Sequence, residues 1–382
     1  MTSISLPSWP ERLVVDEPAA EAVQAALDRR KARRAFVLMS PSLAREGSVL
    51  DALKTLLGER FGGVFAEIPP HTPQPSVLEA AAAARGSGAD LLVSLGGGSV
   101  IDATKIVQAC LAYDLRDLAS LAAWRLNWKT RTRVQLPPHI AIPTTLSGAE
   151  FTSFAGARNV ETGLKDAFSD RGMLPSAIVL DSALTLLTPD SVWLSSGVRS
   201  IDHAVEAFCS PKHHRVSDVM VQQGLRDLMT SLRRTKEARE DVVARRDSQF
   251  GGFFASMGLM SGVPMGISHA IGHVLGSLYD VPHGMTSCVI LPSALAFNYE
   301  AVTDRLDELA PTFGCARGAE VPDALRRYIG ALGLPTRLAD VGVGAHQFAD
   351  IVRGTHEEKW LSSNPRPITG DDDILRILNM AA

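Results

Sequence analysis

The chain has 382 residues, 46% apolar and 21% charged, too apolar for a disordered protein and long enough for two or three domains with their own cores. Lys and Arg number 38 against 42 Asp and Glu, and a formal net charge of −4 argues against a nucleic-acid binder. No run approaches the ~18 apolar residues of a bilayer span. The stretch 1–10 lacks the basic start and apolar core of an export signal, so a cytoplasmic protein with no membrane partner is expected. The four cysteines, Cys110, Cys209, Cys288 and Cys315, are far apart, which fits a reducing compartment and no thiolate zinc site.

Along the chain, apolar residues recur at helical spacing over 19–30. Residues 34–39 form a short buried strand ending in a Ser40-Pro41 turn, and 49–57 return to helical spacing. A strand over 63–68, a Pro-rich loop, an Ala-rich helix over 77–85 and a buried strand over 89–95 follow, with further strands at 139–142 and 177–180. Strand and helix alternating at this pitch predict βα units around a mostly parallel sheet. After about residue 190 strand signals nearly vanish. Helical patterns cover 192–210, 217–235, 237–260, 266–278, 291–309, 321–332 and 345–353. The expected architecture is a Rossmann-like α/β N-terminal lobe, 1–188, and an all-α C-terminal lobe, 189–382.

Strand 89–95 runs into Gly96-Gly97-Gly98-Ser99 and then a helix over 100–111. Three glycines let the backbone come close to a ligand, and the helix start offers unpaired N–H groups and a positive dipole end, which favours phosphate. Packing alone is the competing account of such a turn. Pro143-Thr144-Thr145-Leu146-Ser147-Gly148 follows the strand at 139–142; its hydroxyls suit a cofactor's phosphate or ribose, or equally the capping of a helix. Ten histidines are present. His269 and His273 lie at i and i+4 on one helix, His283 sits in a Pro-His-Gly loop, and Arg199 and His203 lie at i and i+4 on another helix. Converging imidazoles of this kind point to a divalent metal site. The other six histidines show no such pattern.

Taken together these motifs resemble the iron-containing alcohol dehydrogenase superfamily. Gly96-Gly97-Gly98-Ser99 with Asp102 and Lys105 matches its G-G-G-S-x-x-D-x-x-K stretch, Pro143-Thr144-Thr145 its P-T-T, His203-Ala204-Val205-Glu206 its H-A-x-E, and His269, His273 and Pro282-His283-Gly284 its C-terminal signature. The resemblance implies the dehydroquinate synthase-like, iron-type alcohol dehydrogenase fold, with a dinucleotide on the sheet lobe and a metal and substrate on the helical lobe. By it, Ser40, Gly96, Gly97, Gly98, Ser99, Asp102, Thr144, Thr145, Ser147 and Lys165 would bind NAD(P), with Lys165 near the nicotinamide ribose. His203, His269 and His283 would ligate iron or zinc, and His273 would stand near the reacting carbon. The implied activity is hydride transfer between NAD(P) and a carbonyl or alcohol carbon of a small molecule, in a homodimer.

Two departures bear on the chemistry. Where the superfamily has a metal-ligating Asp this chain has Arg199, whose guanidinium cannot ligate and repels a cation. In this the chain resembles the maleylacetate reductase branch, thought to work without bound metal. Arg199 is then expected to meet a substrate carboxylate, or to pair with Asp202. Asp202, roughly 300° around the helix from Arg199 at ~100° per residue, is expected to be a poor substitute ligand. In the metal-free version Arg199, His273 and His283 are the catalytic residues. Ser40 stands where NAD-preferring members carry Asp, so NADP(H) is expected to be accepted. A metal-dependent dehydrogenase of simple alcohols, a dehydroquinate synthase-like lyase and a non-catalytic nucleotide binder are the alternatives.

Overall fold

The structure is a computed structural model, which describes residues 9–382; the expectation about an export signal falls mostly on residues 1–8, outside those described. The chain divides into two compact units, one running to Thr188 and the other covering Pro189–Ala382. The first holds strands β1 (Arg12–Val15), β2 (Ala35–Met39), β3 (Phe61–Phe65), β4 (Leu91–Gly96), β5 (His139–Pro143), β6 (Phe154–Arg158), β7 (Lys165–Ser169) and β8 (Ala177–Leu180). Its helices are α1 (Ala19–Arg30), α2 (Pro41–Glu46), α3 (Ser48–Leu57), α4 (Gln74–Ser87), α5 (Gly98–Ala112) and α6 (Leu118–Leu126).

Six strands form an all-parallel sheet in the order β1-β8-β5-β4-β2-β3. Strands β2, β4, β5 and β8 are buried along their length, which is why they read as unbroken apolar runs. Alternation divides each strand between two cores. Val37, Val93 and Ile140 pack with Val23, Leu27 and Leu53 of α1 and α3 on one face. Phe36, Leu38 and Leu92 pack with Val77, Ala84, Ile106 and Val107 of α4 and α5 on the other. From β2 the chain steps outward to β3 and returns to β4 on the opposite side, so the order reverses between β2 and β4. Ligands of open α/β sheets bind at the carboxyl ends of strands at such a switch.

The sequence does not announce the edge strand β1, the antiparallel hairpin β6–β7 that carries Lys165, helix α2 in place of a simple turn after Ser40, or the helices Leu118–Leu126 and Asp371–Ala381. The strand expected at 63–68 lies two to three residues earlier, at Phe61–Phe65.

The second unit is helical: α7 (Asp190–Cys209), α8 (Arg215–Glu237), α9 (Val242–Met260), α10 (Ile267–Tyr279), α11 (His283–Asn298), α12 (Thr303–Leu309), α13 (Val321–Ala331), α14 (Phe348–His356) and α15 (Asp371–Ala381). Its core includes Ile267, Ile271 and Leu275 of α10, Val289, Ile290 and Phe297 of α11, and Ile374, Ile377 and Leu378 of α15. Two expectations are corrected. The single helix expected over 291–309 is two: α11 begins at His283 and carries Pro292 inside it, and α12 starts at Thr303. His283 is therefore the first residue of a helix whose N-cap is Pro282, and not a loop residue. No helix among the described residues is long and apolar enough to cross a membrane.

Candidate active site

In the first unit the cofactor candidates gather where β2, β4 and β5 end. Ser40 N donates to Leu95 O at 3.0 Å and Thr144 N to Gly96 O at 3.0 Å, which draws the three strand ends together. Gly96 has φ +155°, and a Cβ there would lie 3.1 Å from Ser40 Cβ and from Val100 Cγ2. A Cβ on Gly97 would meet Thr145 Cγ2 at 3.1 Å, and one on Gly98 would meet Ser147 Oγ at 2.9 Å. Thr145 and Ser147 can pack this closely on the start of α5 because these glycines lack side chains, and Thr145 Oγ1 is buried there with no hydrogen-bond partner. Such a cradle of backbone N–H groups and hydroxyls fits a dinucleotide's pyrophosphate.

Asp102 and Lys165 meet beside this cradle. Asp102 Oδ2 accepts from Gly156 N at 3.1 Å and lies 3.7 Å from Lys165 Nζ. The lysine stem lies across Gly156, where a Cβ would fall 2.1 Å from its Cε. The motif's other cation, Lys105, is fully buried and donates to Ala149 O, Thr152 Oγ1 and Phe154 O at 2.5, 3.1 and 2.9 Å. It pins the segment after Thr144–Ser147 from beneath. Burial lowers its pKa to about 8, against the pull of Asp102 and Glu150. This positioning role is one that motif matching alone does not reveal.

In the second unit Arg199, Asp202, His203 and Glu206 occupy i, i+3, i+4 and i+7 of α7, one face of the helix, and all are buried. The expectation that Asp202 stands away from this site is corrected: 300° of rotation is 60° the short way round. Arg199 Nη1 lies 3.5 Å from Asp202 Oδ2 and donates to Ser287 Oγ at 3.0 Å. Of the two partners considered for Arg199 from the sequence, the protein supplies Asp202. Glu206 caps α10 from another helix, accepting from Gly266 N and Ser268 N at 2.8 Å each and from His269 Nδ1 at 2.7 Å. A carboxylate at a helix start is favoured by the dipole. The signal for this role lay in the H-A-x-E spacing, which put Glu206 on the face of His203.

The four imidazoles form two ring pairs: His203 with His269 at 5.0 Å between centroids, and His273 with His283 at 5.6 Å, nearly parallel. Burial and Arg199 oppose a charge on His269, but Asp202 and Glu206 outweigh them and raise its pKa. Burial, reinforced by His269 and Arg199, holds His203 well below the usual range. His273 is lowered to about 4, mainly by burial, although Glu358 pulls the other way. Its Nδ1 donates to Glu358 Oε2 at 3.0 Å, a partner with no motif to announce it.

Among the described residues, the three ligating groups that come within 4.8 Å of one another are Asp202, Glu206 and His269, not the expected His203, His269 and His283. Their donor set fits a divalent ion poorly. Both Glu206 oxygens are engaged by the start of α10, and Asp202 Oδ2 accepts from Ser268 Oγ and Ser287 Oγ at 2.9 and 2.6 Å. The carboxylates are already met by the Arg199 guanidinium and by the His269 ring between them, and an added dication would be repelled by that guanidinium. What remains unsatisfied is different: Arg199 Nε, His203 Nδ1 and His269 Nε2 are buried and have no hydrogen-bond partner, and Asp202 Oδ1 has only the longer 3.5 Å contact with His269 Nδ1.

Comparison with known proteins agrees with both halves of this description. Residues 10–182 match the family described as iron-containing alcohol dehydrogenase, and residues 193–382 match the C-terminal part of the same family. Dehydrogenase ALT3 of Alternaria alternata is 31% identical over 380 residues, covering 90% of this chain and 98% of that one. The maleylacetate reductase of Rhizobium sp. (strain MTP-10005) is 31% identical over 360 residues, covering 94% and 92%. The crystal structure of maleylacetate reductase from Agrobacterium tumefaciens superposes with a TM-score of 0.81 at 29% identity, covering 100% of this chain and 98% of that one. The chain belongs to the iron-containing alcohol dehydrogenase family. It is an NAD(P)-dependent oxidoreductase of that fold, and the lyase alternative is set aside.

Proposed function

We propose that this chain interconverts a carbonyl and an alcohol on a small carboxylated compound, and that it does so without a divalent metal. On this reading the unit ending at Thr188 binds the dinucleotide, and the unit from Pro189 to Ala382 binds and orients the substrate. The observation that carries the reading is the group of partnerless buried atoms on Arg199, Asp202, His203 and His269. Buried polar atoms are mostly paired, and several unpaired ones gathered on adjoining side chains are where a ligand, an ion or water would complete the bonding.

NAD(P), when bound, supplies or takes up the hydride. Gly96, Gly97, Gly98, Ser99, Thr144, Thr145 and Ser147 would hold its phosphates, and Asp102 with Lys165 the nicotinamide ribose. Ser40 would lie on the adenosine side, where it carries no charge to repel a 2′-phosphate. The protein's own part is electrostatic and protic. Arg199 is a cation held beside Asp202 and His269 a ring held by Glu206, both preorganised toward an oxygen that gains negative charge. His273, with His283 stacked on it, carries the proton. Arg199 keeps its Nε for a substrate carboxylate, and likeness to maleylacetate reductases directs the substrate class to oxo-dicarboxylates. The same reading makes the protein a cytoplasmic homodimer; light scattering at assay concentration tests the dimer.

The test is a screen of simple aldehydes against oxo-dicarboxylates with NADH and with NADPH, each with and without added Fe²⁺ or Zn²⁺. Oxo-dicarboxylates turning over equally well with and without metal supports the proposal. Turnover of simple aldehydes alone, dependent on added metal, overturns it in favour of the metal-dependent dehydrogenase.

A further inference from the structure

We infer that Glu358 is a positioning residue that fixes which nitrogen of His273 carries the proton, and so makes Nε2 the atom that exchanges a proton with substrate. The inference rests on the proposed role of His273 as proton carrier. Glu358 lies in the turn after α14, 85 residues from His273, and its Oε2 accepts from His273 Nδ1 at 3.0 Å, both side chains being about three-quarters buried.

The contact is built into the fold. The segment that carries Glu358 is tied back to the start of α10, the helix of His273: Ser363 Oγ donates to Met265 O at 2.6 Å, and Asn364 Oδ1 accepts from Ile267 N at 3.1 Å. Asn364 is in turn held by a reciprocal pair of bonds to Asn298 of α11, at 3.0 and 2.7 Å. The turn and the helix therefore move as one, and the His283 ring lies against that of His273 at 15° between planes.

An ionised carboxylate only accepts hydrogen bonds, so it selects the tautomer with hydrogen on Nδ1 and leaves the Nε2 lone pair bare. In the oxidative direction the substrate O–H bond breaks and its proton goes to Nε2. The electron pair of that bond becomes the second C–O bond as the carbon gives up hydride, which bound NAD(P) would take up. In reduction Nε2 takes a proton from solvent and passes it to the alkoxide oxygen as that charge develops. Glu358 touches neither substrate nor cofactor; it holds Nδ1–H through both directions and balances the charge of the transient imidazolium.

The experiment compares Glu358→Gln, Glu358→Asp, His273→Asn and the double variant E358Q/H273N by steady-state kinetics. It adds nitrogen NMR of the imidazoles, with the His273 signal assigned by its loss in His273→Asn. We expect Nδ1–H on His273 in the unaltered protein and a shift of that tautomer in Glu358→Gln. We also expect kcat to fall on the order of ten- to a hundredfold at unchanged KM for NADPH, recovery in Glu358→Asp, and a double variant no slower than His273→Asn. If His273→Asn is slow but Glu358→Gln retains both its tautomer and its kcat, the inference fails while the proton-carrier reading stands. If His273→Asn itself keeps full kcat, that reading fails first. Should Glu358→Gln fold poorly, turnover per bound NADPH decides: an undiminished value overturns the inference.

Discussion

On the proposed reading Arg199 decides the chemistry of the helical unit, because its guanidinium stands where a ligating carboxylate would. It lies buried beside Asp202 and donates to Ser287, where it supplies a fixed positive charge in a site whose carboxylates are otherwise occupied by the start of α10. Replacing it by a carboxylate reverses that balance. Arg199→Asp is expected to retain Fe²⁺ or Zn²⁺ through desalting where the unaltered protein does not, and to lose at least tenfold in kcat/KM for an oxo-dicarboxylate (about 1.4 kcal/mol). Equal metal content in the two proteins would contradict this. A second residue, His139, tests the interior of the sheet unit. It shares a 2.8 Å hydrogen bond with Ser94 and is fully buried, and burial, aided by Lys105, lowers its pKa from 6.5 to about 3. The folded state therefore binds fewer protons than the unfolded chain between those values. Its contribution to stability is intact above pH 6.5 and is lost as pH falls toward about 3. His139→Asn is expected to lower Tm at neutral pH yet show a shallower fall of Tm on acidification; an unchanged slope would refute the assignment.

At the scale of elements, what the sequence made legible depended on whether a signal was local. The glycine turn could be read because three consecutive glycines between a buried strand and a helix have few structural uses, and the structure adds why: Thr145 and Ser147 fill the space a side chain would need. Gly98→Ala places a Cβ 2.9 Å from Ser147 Oγ and is expected to raise KM for NADPH on the order of tenfold, with circular dichroism unchanged. An unaltered KM would separate this turn from cofactor binding. The faces of α7 and α10 can be read from i, i+4 spacing, and Asp202, 60° from Arg199 by the short way round, shares the face of α7. His283 was assigned to a loop because Pro and Gly flank it, although Pro282 is an N-cap and the helix begins with the histidine itself. Lys105 was visible only as a motif letter, and its three acceptors, from Ala149 to Phe154, lie beyond any sequence window. Glu358 gave no signal at all, since a carboxylate in a turn far along the chain looks like any solvated charge until the fold sets it against His273.

The whole molecule carries two chemistries in different parts of the chain: a parallel sheet whose strand ends fit a dinucleotide, and a helical array that gathers Arg199 and four histidines. On the proposed reading, fixed protein charge does the work a metal ion would do. The most direct measurement is NADPH oxidation with an oxo-dicarboxylate by protein stripped with a strong chelator, alongside elemental analysis of the same sample. The account predicts undiminished turnover with far less than one equivalent of iron or zinc. Turnover that disappears on stripping and returns in proportion to added metal would contradict it.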